Sequence, residues 1–383
     1  MTRKTILPGQ TIGILGGGQL GRMMAIAAKQ MGYRITVLDP TEDCPCAQVA
    51  DHVITAAYDD PEAAKEMAGC ADVVTYEFEN VDVAAADYLQ RHSYLPQGWH
   101  LLEITKDRLR EKAAIAKAGL PVVPYRPVRN DKELKQAIKD IGFPSVLKTT
   151  EGGYDGKGQY VLKSAADLDE ARPYIGRTPF ELEKWLPFAK EISVIVVRGT
   201  IGETSVFPVA ENIHCHNILH HTIVPARIPE ALQEEATKYA LRLSKALDLV
   251  GTLAVEMFVG KDGRVYVNET APRPHNSGHF SINACDTSQF EQHIRAICGL
   301  PLGNTALLKP VIMVNILGQQ LQPVLDKVDQ LSDAHLHLYG KAEARVGRKM
   351  GHLTILADTV QEALDKAQRL GIWTIEKKVG RKA

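Results

Sequence analysis

With 383 residues, 45% of them hydrophobic and 24% charged, the chain has an ordinary globular composition and length for two or three well-buried domains. Its formal net charge of −1 excludes a general attraction to nucleic acid or to a membrane surface. No long apolar run or cleavable leader is read at the start, and the six cysteines form no CxxC pair, so a cytoplasmic protein with reduced thiols is expected.

In chain order, residues 11–16 read as a short apolar strand entering Gly16-Gly17-Gly18-Gln19-Leu20-Gly21. A helix follows to about Met31, stopped by Gly32 as a left-handed cap. Residues 33–38 are the next strand and end at Asp39, so Gly16-x-Gly18-x-x-Gly21 with Asp39 matches the dinucleotide fingerprint. Three readings compete there: a bound nicotinamide dinucleotide, a glycine turn for close strand–helix packing, or the phosphate of another ligand at the helix start. Residues 73–78 make a further strand with Glu77 near its C-terminal end, the edge where open α/β sheets bind ligands. Taken alone, Glu77 is better explained as a solvated strand-end charge.

Thr105 is expected to cap a helix over 106–117 that stops at Gly119, and Leu120-Pro121 forces extension. A second helix begins near Asp131, and residues 143–148 form a buried strand ending in Lys148. That strand enters Gly152-Gly153-Tyr154-Asp155-Gly156-Lys157-Gly158 and leaves along 159–162. So many glycines between two strands make a hairpin flap whose N–H groups can approach phosphate, with Lys148 and Lys157 adding charge. The spacing is not that of a Walker loop, and a flexible surface hairpin is the plain alternative. Strands at 179–185 and 191–197 follow, and His214, Cys215, His216, His220 and His221 are read as a loop. Their spacing fits no zinc pattern, and loop packing or exposure explains them better.

A helix over about 229–247 leads to GTLAVEMFVGKDGRVYVNETAPRPHNSGH, residues 251–279. Apolar runs at 253–259 and 265–269 flank Asp262-Gly263, the strongest short hairpin signal. With those two as the turn, Lys261 faces Arg264 and Glu256 faces Glu269, their Cβ atoms about 5 Å apart. A three-residue loop would break that register. Opposed carboxylates without further protein ligands suit Mg2+, which keeps waters and takes phosphate oxygens; an ordinary hairpin with solvated glutamates is the alternative. Arg273 and His275 follow in a Pro- and Gly-punctuated loop, and an arginine fork can hold a small planar anion, whether bicarbonate or formate. Residues 287–298 are helical, and beyond Pro301 the chain reads as a small α/β module. Its Lys341, Arg345, Arg348 and Lys349 form either a solvated face or an anion site.

In order and spacing, Lys148, the GGYDGKG flap, Glu183–Leu186, Glu191 and the Glu256/Glu269 hairpin resemble the ATP-grasp superfamily. Within it, GGGQLGRM, GGYDGKG, NETAPRPHNSGH and GRKMGH are similar to the N5-carboxyaminoimidazole ribonucleotide synthases of purine biosynthesis, over about residues 11–373. The resemblance implies an α/β and α+β architecture. A Rossmann-like N-terminal domain (1–103) precedes an ATP-grasp domain (104–305) with a glycine-rich lid (about 120–190) and a small C-terminal domain (306–383). It also implies a homodimer.

The reaction implied is ATP-dependent carboxylation of 5-aminoimidazole ribonucleotide by bicarbonate, releasing ADP and phosphate through carboxyphosphate, with a mutase downstream. By the resemblance, Arg108, Lys148, Gly152 to Gly158, Glu183, Lys184, Trp185, Leu186, Glu191, His214, Asn268 and Glu269 fall at ATP positions. Glu256 and Glu269 match Mg2+ ligands. Gln19, Leu20, Glu77, Tyr154, Asp155, Lys157, Lys341 and Arg348 match contacts to the ribonucleotide. Arg273 and His275 resemble the residues around bicarbonate and the transferred phosphate, and Asp155 is a candidate to orient the amine. Ala271 departs from the many superfamily members that carry an Asn metal ligand there. Another ATP-grasp ligase or carboxylase, of the biotin carboxylase or formate-dependent transformylase type, remains the alternative. Neither is expected to combine GGYDGKG with PRPHNSGH. An NAD-dependent oxidoreductase would leave the flap and paired glutamates unused, and a non-catalytic nucleotide-binding regulator would have no need of the glutamates.

Overall fold

The computed structural model describes residues 4–79, 81–153 and 158–374. Four parallel strands open the chain: β1 (Thr11–Leu15), β2 (Arg34–Asp39), β3 (His52–Thr55) and β4 (Val73–Tyr76), in the order β3-β2-β1-β4. Helices Gln19–Gln30 and Pro61–Cys70 pack on this sheet, so Ile12, Ile14, Ile35 and Val37 are fully buried, as a parallel sheet covered on both faces requires. Gly32 closes the first helix with φ 87°, as its position predicts.

The glycine loop is saturated by the protein itself. Gly17 N–H donates to Asp39 at 2.7 Å, Gly21 N–H donates to Glu77 at 2.6 Å, and Gly18 N–H donates to Glu77 as well. A Cβ on Gly18 would run into the Glu77 carboxylate, and one on Gly17 into Cys44 Sγ. Asp39 also accepts from Tyr58, so the acid that would hold a dinucleotide ribose is already engaged. The glycines serve close packing, and the dinucleotide reading is overturned.

A second, antiparallel sheet has its own small core. It comprises β5 (Tyr125–Val128), β6 (Ser145–Thr149), β7 (Gln159–Leu162) and β8 (Phe180–Lys184), in the order β5-β8-β6-β7. Helix Asp131–Ile141, capped by Asn130, packs Leu134 and Ala137 against Leu147, Phe180 and Leu182.

The third sheet has nine strands, and all its pairings are antiparallel. β9 (Phe188–Arg198), β10 (Thr204–Val206), β11 (Ala210–Cys215), β12 (Ile218–Val224), β13 (Gly251–Gly260) and β14 (Val265–Ala271) come from the middle of the chain. β15 (Val311–Leu317), β16 (His335–Leu338) and β17 (Lys349–Leu356) come from its end. The order is β14-β13-β9-β11-β12-β15-β17-β16, with β10 on β9. The C-terminal segment therefore extends the central sheet through β12 and β15.

Two local expectations are corrected. The histidine-rich stretch is a hairpin, turned at His216 and Asn217 with φ 50° and 63°, the paired left-handed geometry of a tight β-turn. Asp107, not Thr105, caps helix Arg108–Lys117 by accepting from Arg110 N–H at 2.9 Å, while Thr105 ends helix Trp99–Lys106 by donating to the Leu101 carbonyl. Among the described residues no helix is long and apolar enough to cross a membrane. His293 joins the first sheet to the third, bonding Thr75 of β4 at 2.9 Å and Thr252 of β13 at 3.2 Å.

Candidate active site

The β13–β14 hairpin reaches the expected pair by a different register. Gly260 N–H donates to the Arg264 carbonyl, so the loop is Lys261-Asp262-Gly263. Asp262 accepts from Arg264 N–H and from Tyr266, and Gly263 takes φ 78°, which together favour three loop residues over two. Val259 then pairs with Val265 and Met257 with Val267. A bulge at Asn268 restores the count, and Glu256 faces Glu269 after all. The bulge also leaves the Asn268 side-chain oxygen buried without a partner.

These carboxylates open on a cavity of about 480 Å³ between the second and third sheets. Arg108, Lys148, Gly152, Gly153, Glu191, His214, Glu256, Asn268, Glu269, Arg273 and His275 all line it. Ten residues expected from sequence thus come together with Glu256. A second cavity, of about 450 Å³, is lined by Gln19, Leu20, Glu77 and Lys341, also as expected. The two share Arg273, His275, Asn276 and Lys349, so they adjoin across a common wall.

Each hairpin glutamate has its own basic partner. An Arg108 guanidinium nitrogen lies 2.8 Å from Glu269, and His275 Nε2 lies 3.0 Å from Glu256. Burial pushes the Glu269 carboxyl up, but Arg108 and Lys148 outweigh it and hold it down at about 2. His275 Nδ1 accepts from Ser277 N–H at 3.3 Å, so its neutral ring carries the proton on Nε2, toward Glu256. Behind Ser277 a buried relay runs through Ser193 (2.8 Å) and Asn212 (2.9 Å) to Thr222 (3.0 Å), locking that ring to the sheet. Glu191 and His214 pair at 2.6 Å on the cavity wall.

Not every expected residue reaches a cavity. Glu183 is an anchor beneath the floor: Lys112 at 2.8 Å and Lys148 both pair with it. Burial raises its carboxyl, and those two ammonium groups more than offset this, to about 2. None of Glu183, Lys184, Trp185 and Leu186 lines the cavity, and the Lys184 and Trp185 N–H groups donate to the Pro124 and Pro144 carbonyls. Gly158 closes the base of the flap by accepting from Thr149 N–H. Tyr154, Asp155, Gly156 and Lys157 lie outside the described residues. Arg348 is exposed and donates to the Glu343 carbonyl, whereas its neighbour Lys349 lines both cavities.

Lys349, Glu79 and Asn276 are the polar residues at or beside the shared wall that were not assigned from sequence. Lys349 had the same basic-cluster signal as Arg348, and strand alternation decides between them. Glu79 pairs with Arg273 at 2.9 Å; it stands in the turn just beyond β4, two residues after Glu77. Asn276 offered no charge to notice. Lys341 Nζ donates to Gln19 and to the Lys349 carbonyl, both at 2.7 Å, and burial, with Arg348 and Lys349 nearby, lowers it to about 8.

Known proteins resemble this arrangement along the whole chain. The ribonucleotide synthetase preATP-grasp domain matches residues 9–105, the ATP-grasp domain 113–290, and the phosphoribosylaminoimidazole carboxylase C-terminal domain 311–366. An N5-carboxyaminoimidazole ribonucleotide synthase of Bacillus subtilis is 53% identical over 94% of this chain and 95% of its own. One from Staphylococcus epidermidis is 45% identical over 92% and 94%. Among solved structures, the ADP complex of an N5-carboxyaminoimidazole ribonucleotide synthetase superposes with a TM-score of 0.95 at 62% identity, covering 97% of this chain and 99% of that one. The Aspergillus clavatus enzyme in complex with ADP and 5-aminoimidazole ribonucleotide gives a TM-score of 0.88 at 32% identity, covering 94% and 97%.

Proposed function

Because this chain belongs to the N5-carboxyaminoimidazole ribonucleotide synthases, we propose that it carboxylates 5-aminoimidazole ribonucleotide with bicarbonate at the expense of ATP. The observation that carries this reading is the shared wall. One cavity offers opposed carboxylates, Lys148 and a glycine flap to a nucleotide triphosphate; the other offers Lys341 and Gln19 to a second, anionic substrate; Arg273 and His275 stand between.

The chain's own groups divide the work. Glu256 and Glu269 are hard oxygen donors on one face, and among the described residues no three His, Cys, Asp or Glu groups cluster for a metal. That set fits Mg2+, which draws its remaining ligands from phosphates and water and neutralises phosphate charge when bound. Lys148 and Arg108, now paired with Glu183 and Glu269, would turn to the phosphates. The flap residues Gly152 to Gly158 would close over them and exclude water, because carboxyphosphate hydrolyses readily. A bicarbonate oxygen held by Arg273 attacks the γ-phosphorus and ADP leaves. The exocyclic amine then attacks the carboxyl carbon, loses a proton, and phosphate departs. Positioning and charge neutralisation supply the catalysis.

Glu191 and His214 are assigned to the nucleotide, with Glu183–Leu186 supporting it from below. Gln19, Leu20, Lys341 and the flap's Tyr154, Asp155 and Lys157 are assigned to the ribonucleotide. Glu77 shapes that cavity through Gly18 and Gly21, and Arg348 contributes at most a distant charge. The division at about residues 103 and 305 is supported by the family-model boundaries. A cytoplasmic homodimer feeding a mutase rests on the resemblance. The decisive experiment uses oxygen- and carbon-labelled bicarbonate: ADP release should need bicarbonate and the ribonucleotide together, with no stimulation by biotin or NAD. The label should deliver its carbon to the product and one oxygen to phosphate. Phosphate free of bicarbonate oxygen would rule out the carboxyphosphate route.

A further inference from the structure

We infer that Asn276 is the residue that selects bicarbonate over formate, an assignment that rests on the carboxylation reading above. An arginine fork alone does not make this choice, since both anions present a planar pair of oxygens. They differ in one group: bicarbonate carries an O–H donor, and formate carries a C–H in its place.

Asn276 is only 7% exposed, lines both cavities at the wall they share, and neither its side-chain nitrogen nor its oxygen has a partner. Buried amides without partners are rare, and a pair of orphan atoms on a cavity wall points to a ligand that completes them. Arg273 beside it repeats the signal. Its terminal nitrogens are engaged with Glu79 and the Pro274 carbonyl, while its buried Nε–H has no partner. The wall therefore presents two unsatisfied donor groups, Arg273 Nε–H and the Asn276 amide NH2, and one unsatisfied acceptor, the Asn276 carbonyl. Whichever way the amide is turned, it supplies one of each. This set complements bicarbonate, whose two oxygens accept and whose hydroxyl donates. Formate would leave the acceptor buried and unmet, and a site built around a hydroxyl rejects an analogue that lacks it. The hydroxyl held by Asn276 is also kept from attacking phosphorus, so a carboxylate oxygen attacks instead.

The test is the full-length enzyme with saturating ATP and 5-aminoimidazole ribonucleotide. It compares the KM for bicarbonate with the inhibition constant of formate competing against it. In Asn276→Leu bicarbonate loses two contacts and formate one. The bicarbonate KM should rise about tenfold or more and the gap between the two constants should narrow at least about fivefold. The KM values for ATP and ribonucleotide should stay within about twofold. Asn276→Ser, whose hydroxyl both donates and accepts, should recover part of the gap, and it carries the same test if the leucine variant fails to fold. An unchanged gap, or a rise in all three KM values together, overturns the inference and leaves Asn276 a packing residue. Wild-type ADP release that does not depend on bicarbonate would instead sink the carboxylation reading itself, before any variant is made.

Discussion

Glu256 and Glu269 stand face to face across the β13–β14 ladder, and each is already met by a basic side chain from elsewhere in the chain, His275 for the first and Arg108 for the second. Opposed carboxylates alone would predict that neutralising one relieves repulsion; for Glu269 the Arg108 guanidinium reverses that sign.

Glu269→Gln should therefore nearly abolish ADP release and also destabilise the ligand-free protein. Arg108 would be left largely buried without its partner. The cost should be about 1–2 kcal/mol, below the ~3–5 kcal/mol of a fully buried pair, because the Glu269 carboxylate opens into the cavity. Urea unfolding without nucleotide checks this, and a variant as stable as wild type would show that the Arg108 pair contributes nothing.

Lys341, not Arg348, should read the phosphate of the ribonucleotide. Lys341→Ala should raise the KM for that substrate by about tenfold or more, the ~1.5–3 kcal/mol of a charge-assisted contact, whereas Arg348→Ala should change it by less than about threefold. Burial, with Arg348 and Lys349 nearby, leaves the free-enzyme Lys341 losing its proton at about pH 8. Its charge is present below that pH and lost above it, so kcat/KM for the ribonucleotide should fall above about pH 8. Lys341→Arg should remove that inflection.

Gly18 tests the saturated glycine loop. A methyl group there meets the Glu77 carboxylate, so Gly18→Ala should cost about 1–3 kcal/mol of stability. NADH added to the wild-type protein should leave its fluorescence unchanged. An NADH titration that saturates would reopen the dinucleotide reading.

Acid should destabilise the fold through a histidine core. His352 is fully buried, stacked on His337 with ring centres 4.6 Å apart, tilted against His279, and bonded to Tyr339. Burial, and then His337, pushes its imidazole well below the ordinary value. The folded ring stays neutral where the unfolded one gains a proton, so its contribution is whole above about pH 6.5 and shrinks as pH falls. His352→Gln should flatten the stability–pH curve below about pH 6.5 by about 1.4 kcal/mol per pH unit. Parallel curves for the two proteins would contradict this.

The sequence disclosed most of the site and less of its scaffold. Lys148, Glu256 and Glu269 were noticed because charge inside an apolar strand is conspicuous, and Arg273 and His275 because they follow that hairpin directly in a Pro- and Gly-punctuated loop. The Glu256–Glu269 pairing was reached through the wrong loop, since alternation cannot distinguish a two-residue turn from a three-residue loop followed by a bulge at Asn268. The β11–β12 hairpin was hidden because His216 and Asn217 are not the usual Asn-Gly signal. Pairing of β12 with β15 joins strands far apart in sequence, and no local pattern announces such a contact. Asn276 escaped because a neutral amide is conspicuous only when its neighbours are known.

The junction of β12 with β15 also governs what becomes of a shortened chain. A fragment ending near residue 305 keeps Glu256, Glu269 and Lys148, yet it strips the cover from β12, whose sequence is Ile218-Leu-His-His-Thr-Ile-Val224. Bare backbone donors and acceptors along a strand that apolar invite a second molecule to complete the sheet. Such a fragment should associate edge to edge, so in the intact chain β15 shields that strand from a second molecule.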